Sequence, residues 1–212
     1  MREKFDMQLD ELNRLLIKMG ALCESAIAAA VKSLRRADKA LIESVRESER
    51  DIDHMERDIE ALCMRIIMRQ QPVAGDLRMV SSALKMITDM ERIGDQAADI
   101  ADMAPYCHLE EYPQLKEDIT DMAAVAVKMV TDSVDAFVNR DIDAAHNVIS
   151  DDDKADGLFI KIKGDIISMV AEKSGDGEAA VDILMTAKYL ERIGDHASNI
   201  AEWVEYSLTG TH

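Results

Sequence analysis

The 212-residue sequence predicts an all-α protein made of two tandem three-helix bundles related by an internal pseudo-repeat. Three observations carry that prediction. Only three prolines, nine glycines and 4% aromatics stand beside fourteen methionines, whereas sheet proteins use more β-branched, aromatic and turn-forming residues. Apolar residues recur at helical spacing in six stretches separated by breaks. The string "ERIGDQAADIA" (91–101) returns as "ERIGDHASNIA" (191–201), 100 residues later.

The first stretch runs Phe5, Leu9, Leu12, Leu15/Leu16, Met19, Leu22, Ile27, Val31, Leu34. Asp38 follows as a candidate N-cap, and the second stretch takes Leu41, Val45, Ile52, Met55, Ile59, Leu62 and Ile66. "QQPVAGD" (70–76) breaks it, because proline neither donates to a helix nor clears the preceding turn. The third helix spans Leu77 to about Met103, and "APYCHLEEYP" (104–113) reads as the linker. The pattern restarts with Ile119, Met122, Val125, Met129, Val134 and Phe137, and Asp141 caps the next helix. That fifth helix holds Val148, Leu158, Ile162, Ile166 and Met169; "KSGDG" (173–177) interrupts it, and a sixth runs from about Glu178 to Leu208. The caps Asp38 and Asp141 stand 103 residues apart, as do the acid pairs Glu49/Asp53 and Asp152/Asp156; Gly75-Asp76 and Gly175-Asp176 stand 100 apart. A three-residue deletion in the second loop explains the change, and a repeat of this length predicts a duplicated bundle. The expected domains are 1–104 and 110–212.

With 42 acidic against 25 basic residues the net charge is −17. A field of that sign repels nucleic acid and anionic lipid and makes cations the natural counter-charge. No run of Lys and Arg marks a basic patch. No apolar run approaches the roughly 18 residues of a membrane span, and the opening "MREKFDMQLDEL" is charged and amphipathic. Cys23, Cys63 and Cys107 form no C-x-x-C pair, which argues against a disulfide framework or thiolate zinc site and for a reducing compartment. The expectation is a cytoplasmic protein with no nucleic-acid partner and no membrane insertion.

The acids are arranged in lines. On a helical wheel with Glu91 at 0°, Asp95 falls near 40° and Asp99 near 80°, just beyond an apolar arc of roughly 200° to 320°. Glu49, Asp53, Glu56 and Glu60 fall within an arc of about 60° on the neighbouring helix by the same construction. Like charges four residues apart on a helix repel. Arg57 and Arg92 are candidate counter-ions on a merely solvated face. The functional alternative is a cation site, whose oxygen-only donors suit hard cations or iron and manganese. Gly94 and Gly194, each beside the acids, imply close helix approach or room for a ligand, since a mid-helix glycine costs about 1 kcal/mol.

Catalytic signatures are missing. Ferritin-type di-iron enzymes need Glu-x-x-His pairs, but Gly94 and Gly194 stand three residues after Glu91 and Glu191. Asp51/His54 and Asp143/His146 use the wrong acid and lie off the lines; His54 and His196 read as surface residues. There is no G-x-x-x-x-G-K-[ST] and no G-x-S-x-G, so an enzyme is not expected. Cys63 reads as packing. Trp203 and Tyr206 lie off the apolar arc, open to the other bundle, a partner or solvent.

The tandem repeat, "ERIGD" in both halves, "RQQPVAGDLR" (69–78) and the caps in "ADKA" and "RDID" together resemble the PhoU family over nearly the whole chain. That resemblance implies two three-helix bundles whose E/D-x-x-x-D motifs bind metal, with iron clusters first and zinc or manganese as alternatives. It also implies a cytoplasmic, homodimeric regulator of phosphate uptake and phosphate-starvation signalling. Its partners would be the ATPase subunit of the phosphate ABC transporter and a sensor histidine kinase. By position, the metal residues would be Glu49, Asp53, Glu91, Asp95 and Asp99 in the first bundle, and Asp152, Asp156, Glu191 and Asp195 in the second. Asn199 stands where the first half has Asp99, and Phe159 and Lys163 replace Glu56 and Glu60. The second site should therefore carry less negative charge, and Asp95→Ala should lose more metal than Asp195→Ala. A metal-storing bundle and a di-iron carboxylate enzyme are the competing readings.

Overall fold

The computed structural model describes residues 2–35, 37–172 and 175–211. Six helices appear in order: α1 (Arg2–Ser33), α2 (Lys39–Gln70), α3 (Gly75–Met103), α4 (Pro113–Asn139), α5 (Ile142–Ala171) and α6 (Gly177–Thr209), with a 3₁₀ turn at Leu109–Glu111. No strand occurs among the described residues.

The boundaries follow from local chemistry. Asp38 accepts from the backbone N–H of Ala40 (2.9 Å) and Leu41 (3.4 Å), satisfying two otherwise orphaned donors at the start of α2. Asp141 does the same for α5 through Ala144 N–H at 3.0 Å, and Asp176 for α6 through Glu178 N–H at 3.0 Å. Gln71 ends α2 in the left-handed region (φ 48°), with its N–H on the Ile67 carbonyl, and Pro72 prevents resumption. Of the break at 173–177, residues 173 and 174 lie outside the described ones. The linker is shorter than its composition implies: Pro113 opens α4 at a position where its missing N–H costs nothing. Cys107 and Leu109 are buried in the core.

Within each repeat the three helices pack on one another, and the repeats meet through α3 against α6 and α1 against α4. The α3–α6 crossing is antiparallel: Lys85 lies over the Trp203 ring at 5.9 Å and Asp89 meets His196 at 2.9 Å. Helices α2 and α5 flank this central layer and pack chiefly within their own repeat. One continuous core joins the halves, including Leu16 and Met19 of α1, Ile52 and Ile59 of α2, Met86 and Met90 of α3, Met122 and Met129 of α4, Ile162 of α5, and Leu190 of α6. Unbranched methionines fill irregular space between helices. Cys23 and Cys63 are fully buried, and desolvation pushes their thiols up to about 12, which leaves them as packing groups.

Two candidate carboxylate centres

In each repeat the second and third helices are neighbours, so the acid lines of the sequence face one another across a helix pair. In the first repeat, α2 contributes Glu49, Asp53 and Glu56, and α3 contributes Glu91, Asp95 and Asp99. Burial pushes the Glu49 carboxyl above its ordinary range, reinforced by Asp53 beside it and Asp95 across the pair. Glu91 is raised by burial, then by Asp95, Glu56 and Asp53, with Arg92 opposing. Asp99 is raised by burial, Asp95 and Asp102, while Arg192 of the other repeat opposes. Asp99 thus ends the line on the side of α3 that faces Arg192 of α6. Glu60 is exposed and does not contribute to these shifts.

The second repeat gathers Asp152 and Asp156 from α5 with Glu191 and Asp195 from α6. Asp152 is pushed up to about 6, by burial first and then by Asp195, Asp156, Glu191 and Asp153. Asp195 is raised by burial and Glu191, against Lys188 and His196. In both cases desolvation and like charge act in the same direction, favouring the protonated acid.

Basic side chains hold part of each set. Arg57 Nη2 lies 3.0 Å from Asp53 Oδ2, and Arg92 reaches Glu91 Oε2 at 3.4 Å and Asp95 Oδ2 at 3.0 Å. Lys188 pairs with Glu191. Asp152, Asp156 and Asp195 have no ion pair among the described residues. A cation fits these donors in charge and type, because it would relieve the mutual repulsion of oxygen-only groups. The side chains are nevertheless not gathered for one: among the described residues no group of three or more His, Cys, Asp or Glu is placed to hold a metal ion.

The two glycines differ in what they make room for. A Cβ on Gly94 would lie 3.0 Å from Ile52 Cδ1 and 3.3 Å from Ile52 Cγ2, so this glycine admits an apolar side chain of α2. A Cβ on Gly194 would meet Ala155 Cβ and Asp152 Oδ1, each at 3.4 Å. With alanine at 155 in place of isoleucine, the space in the second repeat lies beside a carboxylate.

Placement of the histidines departs from the sequence expectation in one case. His54 is exposed, as expected, but the His196 side chain is only 18% exposed because it sits between the repeats. Its Nδ1 is 2.9 Å from Asp89 Oδ1, and Asn199 Nδ2 donates to the same oxygen at 3.2 Å. Sequence reasoning passed over Asp89. Its signal was azimuth: Asp89 and His196 both fall near 150° on the wheel of their own helix, a flank that is neither acid line nor apolar arc. Asn199 is therefore an inter-repeat contact as well as a missing acid. Trp203 likewise meets the other repeat, under Lys85, with the Tyr206 ring edge-on at 5.9 Å.

Comparison with known proteins agrees with this architecture. The PhoU domain matches residues 16–104 and again 119–204. The phosphate-specific transport system accessory protein PhoU homolog of Clostridium acetobutylicum is 34% identical, over 99% of this chain and 96% of the relative. The Pseudomonas aeruginosa homolog is 36% identical over 99% of this chain and 87% of the relative. The crystal structure of PhoU from Pseudomonas aeruginosa superposes with a TM-score of 0.89 over 98% of this chain and all of that one, at 36% identity. The phosphate transport system regulatory protein PhoU from Streptococcus pneumoniae gives the same TM-score at 26% identity, covering 98% of each chain. A domain matched twice, full-length relatives and a shared six-helix arrangement lead to one conclusion: this chain belongs to the PhoU family.

Proposed function

We propose that this protein is a non-enzymatic cytoplasmic adaptor that regulates phosphate uptake and phosphate-starvation signalling. It acts on the ATPase subunit of a phosphate ABC transporter, and through a sensor histidine kinase, as a homodimer. The observation that carries this reading is the near full-length match to proteins named as accessory to phosphate-specific transport systems. No helix among the described residues is long and apolar enough to cross a membrane, which agrees with a partner approached from outside the bilayer. Outward faces of the flanking helices supply contact surface: Met64 and Met68 on α2, and Ile160, Ile167 and Val170 on α5, are exposed apolar side chains. The charge of −17 favours a basic patch on the partner and association that weakens with salt.

The carboxylate centres are proposed to hold metal, as iron clusters first and as zinc or manganese otherwise. Glu49, Asp53, Glu91, Asp95 and Asp99 would serve the first repeat and Asp152, Asp156, Glu191 and Asp195 the second. The ion would supply the positive charge these acids lack. Their mutual repulsion also favours a second reading, a metal-storing bundle without a transporter role. Titration of the purified protein against the transporter ATPase at two ionic strengths separates the two. Binding at low salt that weakens at high salt is expected; no binding with or without iron, zinc or manganese leaves metal storage as the better reading.

A further inference from the structure

Where the turn after α1 meets the segment leading into α4, a pocket of about 590 Å³ is lined by Lys32, Arg35, Asp38, Leu41, Glu110 and Lys116. Three of its six residues are basic, in a chain where acids outnumber bases by 42 to 25. Lys116 is paired with Glu110 at 2.7 Å. The side chains of Lys32 and Arg35 have no hydrogen bond or ion pair among the described residues; the one bond between the two is Arg35 N–H to the Lys32 carbonyl at 3.4 Å. Asp38, the nearest acid in sequence, directs its carboxylate at the first turn of α2 as the helix cap. Two uncompensated cations therefore face one cavity.

The internal repeat provides a control. At the 103-residue offset Lys32, Asp38 and Leu41 correspond to Asp135, Asp141 and Ala144, and all three counterparts line a pocket in the second repeat. That pocket is acidic: Asp132, Asp135, Asp141 and Asp151 against Lys128 and Lys154. The same helix–turn–helix corner thus carries opposite charge in the two halves. Lys32 gains something from the C-terminal end of α1, but Asp135 occupies the matching place on α4, so the fold does not require a cation there.

We propose that the Lys32–Arg35–Lys116 pocket binds a multiply charged oxyanion of the phosphate class. Two unpaired cations match a dianion. An arginine fork adds two-point recognition of tetrahedral oxygens, and the lysines act as point charges. Two sources share this chemistry, free inorganic phosphate and the phosphoryl groups of a nucleotide. An adjoining apolar groove of about 360 Å³ shares Lys32 and Arg35 and runs between α1 and α4 over Val31, Ala123 and Val127. It offers a place for the non-ionic part of the second. The site is independent of the carboxylate centres and of the transporter reading.

The test is isothermal titration calorimetry of the full chain in phosphate-free buffer, with inorganic phosphate, ATP or ionic-strength-matched sodium chloride as titrant. Saturable binding of phosphate, ATP or both, absent with chloride, is expected. Binding of phosphate identifies the free anion as sufficient; binding of ATP alone assigns the groove a role. Lys32→Ala and Arg35→Ala should each weaken binding about tenfold, the scale of one charge-assisted hydrogen bond. Both residues are exposed, so helix content by circular dichroism should be unchanged. Lys18→Ala, on α1 away from the pocket, should bind as wild type. No saturable binding with either anion, or equal weakening by Lys18→Ala, overturns the proposal.

Discussion

Asp89 of the first repeat accepts from both His196 and Asn199 of the second, its Oδ1 lying 2.9 Å from His196 Nδ1 and 3.2 Å from Asn199 Nδ2. By position Asn199 corresponds to Asp99, and Asp89 to Tyr189. Asp99 in turn acts on Tyr189, raising its phenol after burial does. So an aspartate meets a neutral polar partner on each side of the pseudo-twofold. Asn199→Asp, which would restore the first repeat's motif, should instead destabilise the protein by about 0.5–1.5 kcal/mol, a lost hydrogen bond plus like-charge contact. Asp89→Asn in the same chain should recover most of that loss. Urea denaturation of the two single variants and the double variant measures the coupling, and additive losses would refute the pairing.

Gly94→Ala and Gly194→Ala should differ in sign although they are equivalent positions. Alanine gains about 1 kcal/mol of helix propensity at either. At 94 the new methyl would press Ile52, whose Cδ1 lies 3.0 Å away, whereas at 194 the nearest atoms are at 3.4 Å. Displacing a buried isoleucine costs about 1–3 kcal/mol, so Gly94→Ala should lower the thermal midpoint and Gly194→Ala should leave it level or raise it. Calorimetric midpoints of the two variants check this.

Asp152 makes the metal-free protein pH-sensitive in an unusual direction. Its folded carboxyl is raised from 3.8 to about 6, so folding disfavours the ionised form. The penalty is fully present above pH 6, shrinks as pH falls through 6, and is gone below 3.8. Asp152→Asn should therefore be more stable than wild type at pH 8, by about 1–2 kcal/mol after screening at a partly open site. The gap should close near pH 4. Denaturant midpoints in the presence of a chelator at both pH values decide it; a gap that does not change with pH would contradict the assignment.

Acid density alone ranks the first repeat ahead in metal affinity. Pairing in the structure points the other way, because Arg57 and Arg92 hold three acids of the first repeat, Asp53, Glu91 and Asp95, whereas in the second repeat Lys188 holds Glu191 and leaves Asp152, Asp156 and Asp195 without an ion pair among the described residues. Displacing those arginines costs part of what an ion returns, so we expect Asp195→Ala to lose more bound metal than Asp95→Ala. Elemental analysis of wild type and both variants after loading with iron, zinc or manganese tests the ranking. Greater loss in Asp95→Ala restores the density argument.

Features that depend on neighbours in sequence were legible from sequence. Asp38 and Asp141 were identifiable as caps because the side chain bonds its own next turn. The facing acid lines followed from helical azimuth and a short connection between adjacent helices. Asp89–His196 and the Lys32–Arg35–Lys116 pocket were not legible in this way. Each joins residues more than 80 positions apart, and whether they meet depends on how one repeat is set against the other. Periodicity within a helix carries no record of that. Even the linker shows this, since Cys107 and Leu109 look like loop residues until the core closes over them.

The Asp89–Asn199 and Asp99–Tyr189 exchange also governs which halves recognise each other. If two copies of the first repeat were to associate through their third helices in the same crossing, Asp89 of each would confront Asp99 of the other, and Gln96 would replace His196. Two like-charged contacts would appear where the native molecule has none. The duplicated halves have thus become complementary to one another in place of self-complementary. Pairing of two first repeats through this crossing is therefore disfavoured electrostatically against the native pairing of first repeat with second.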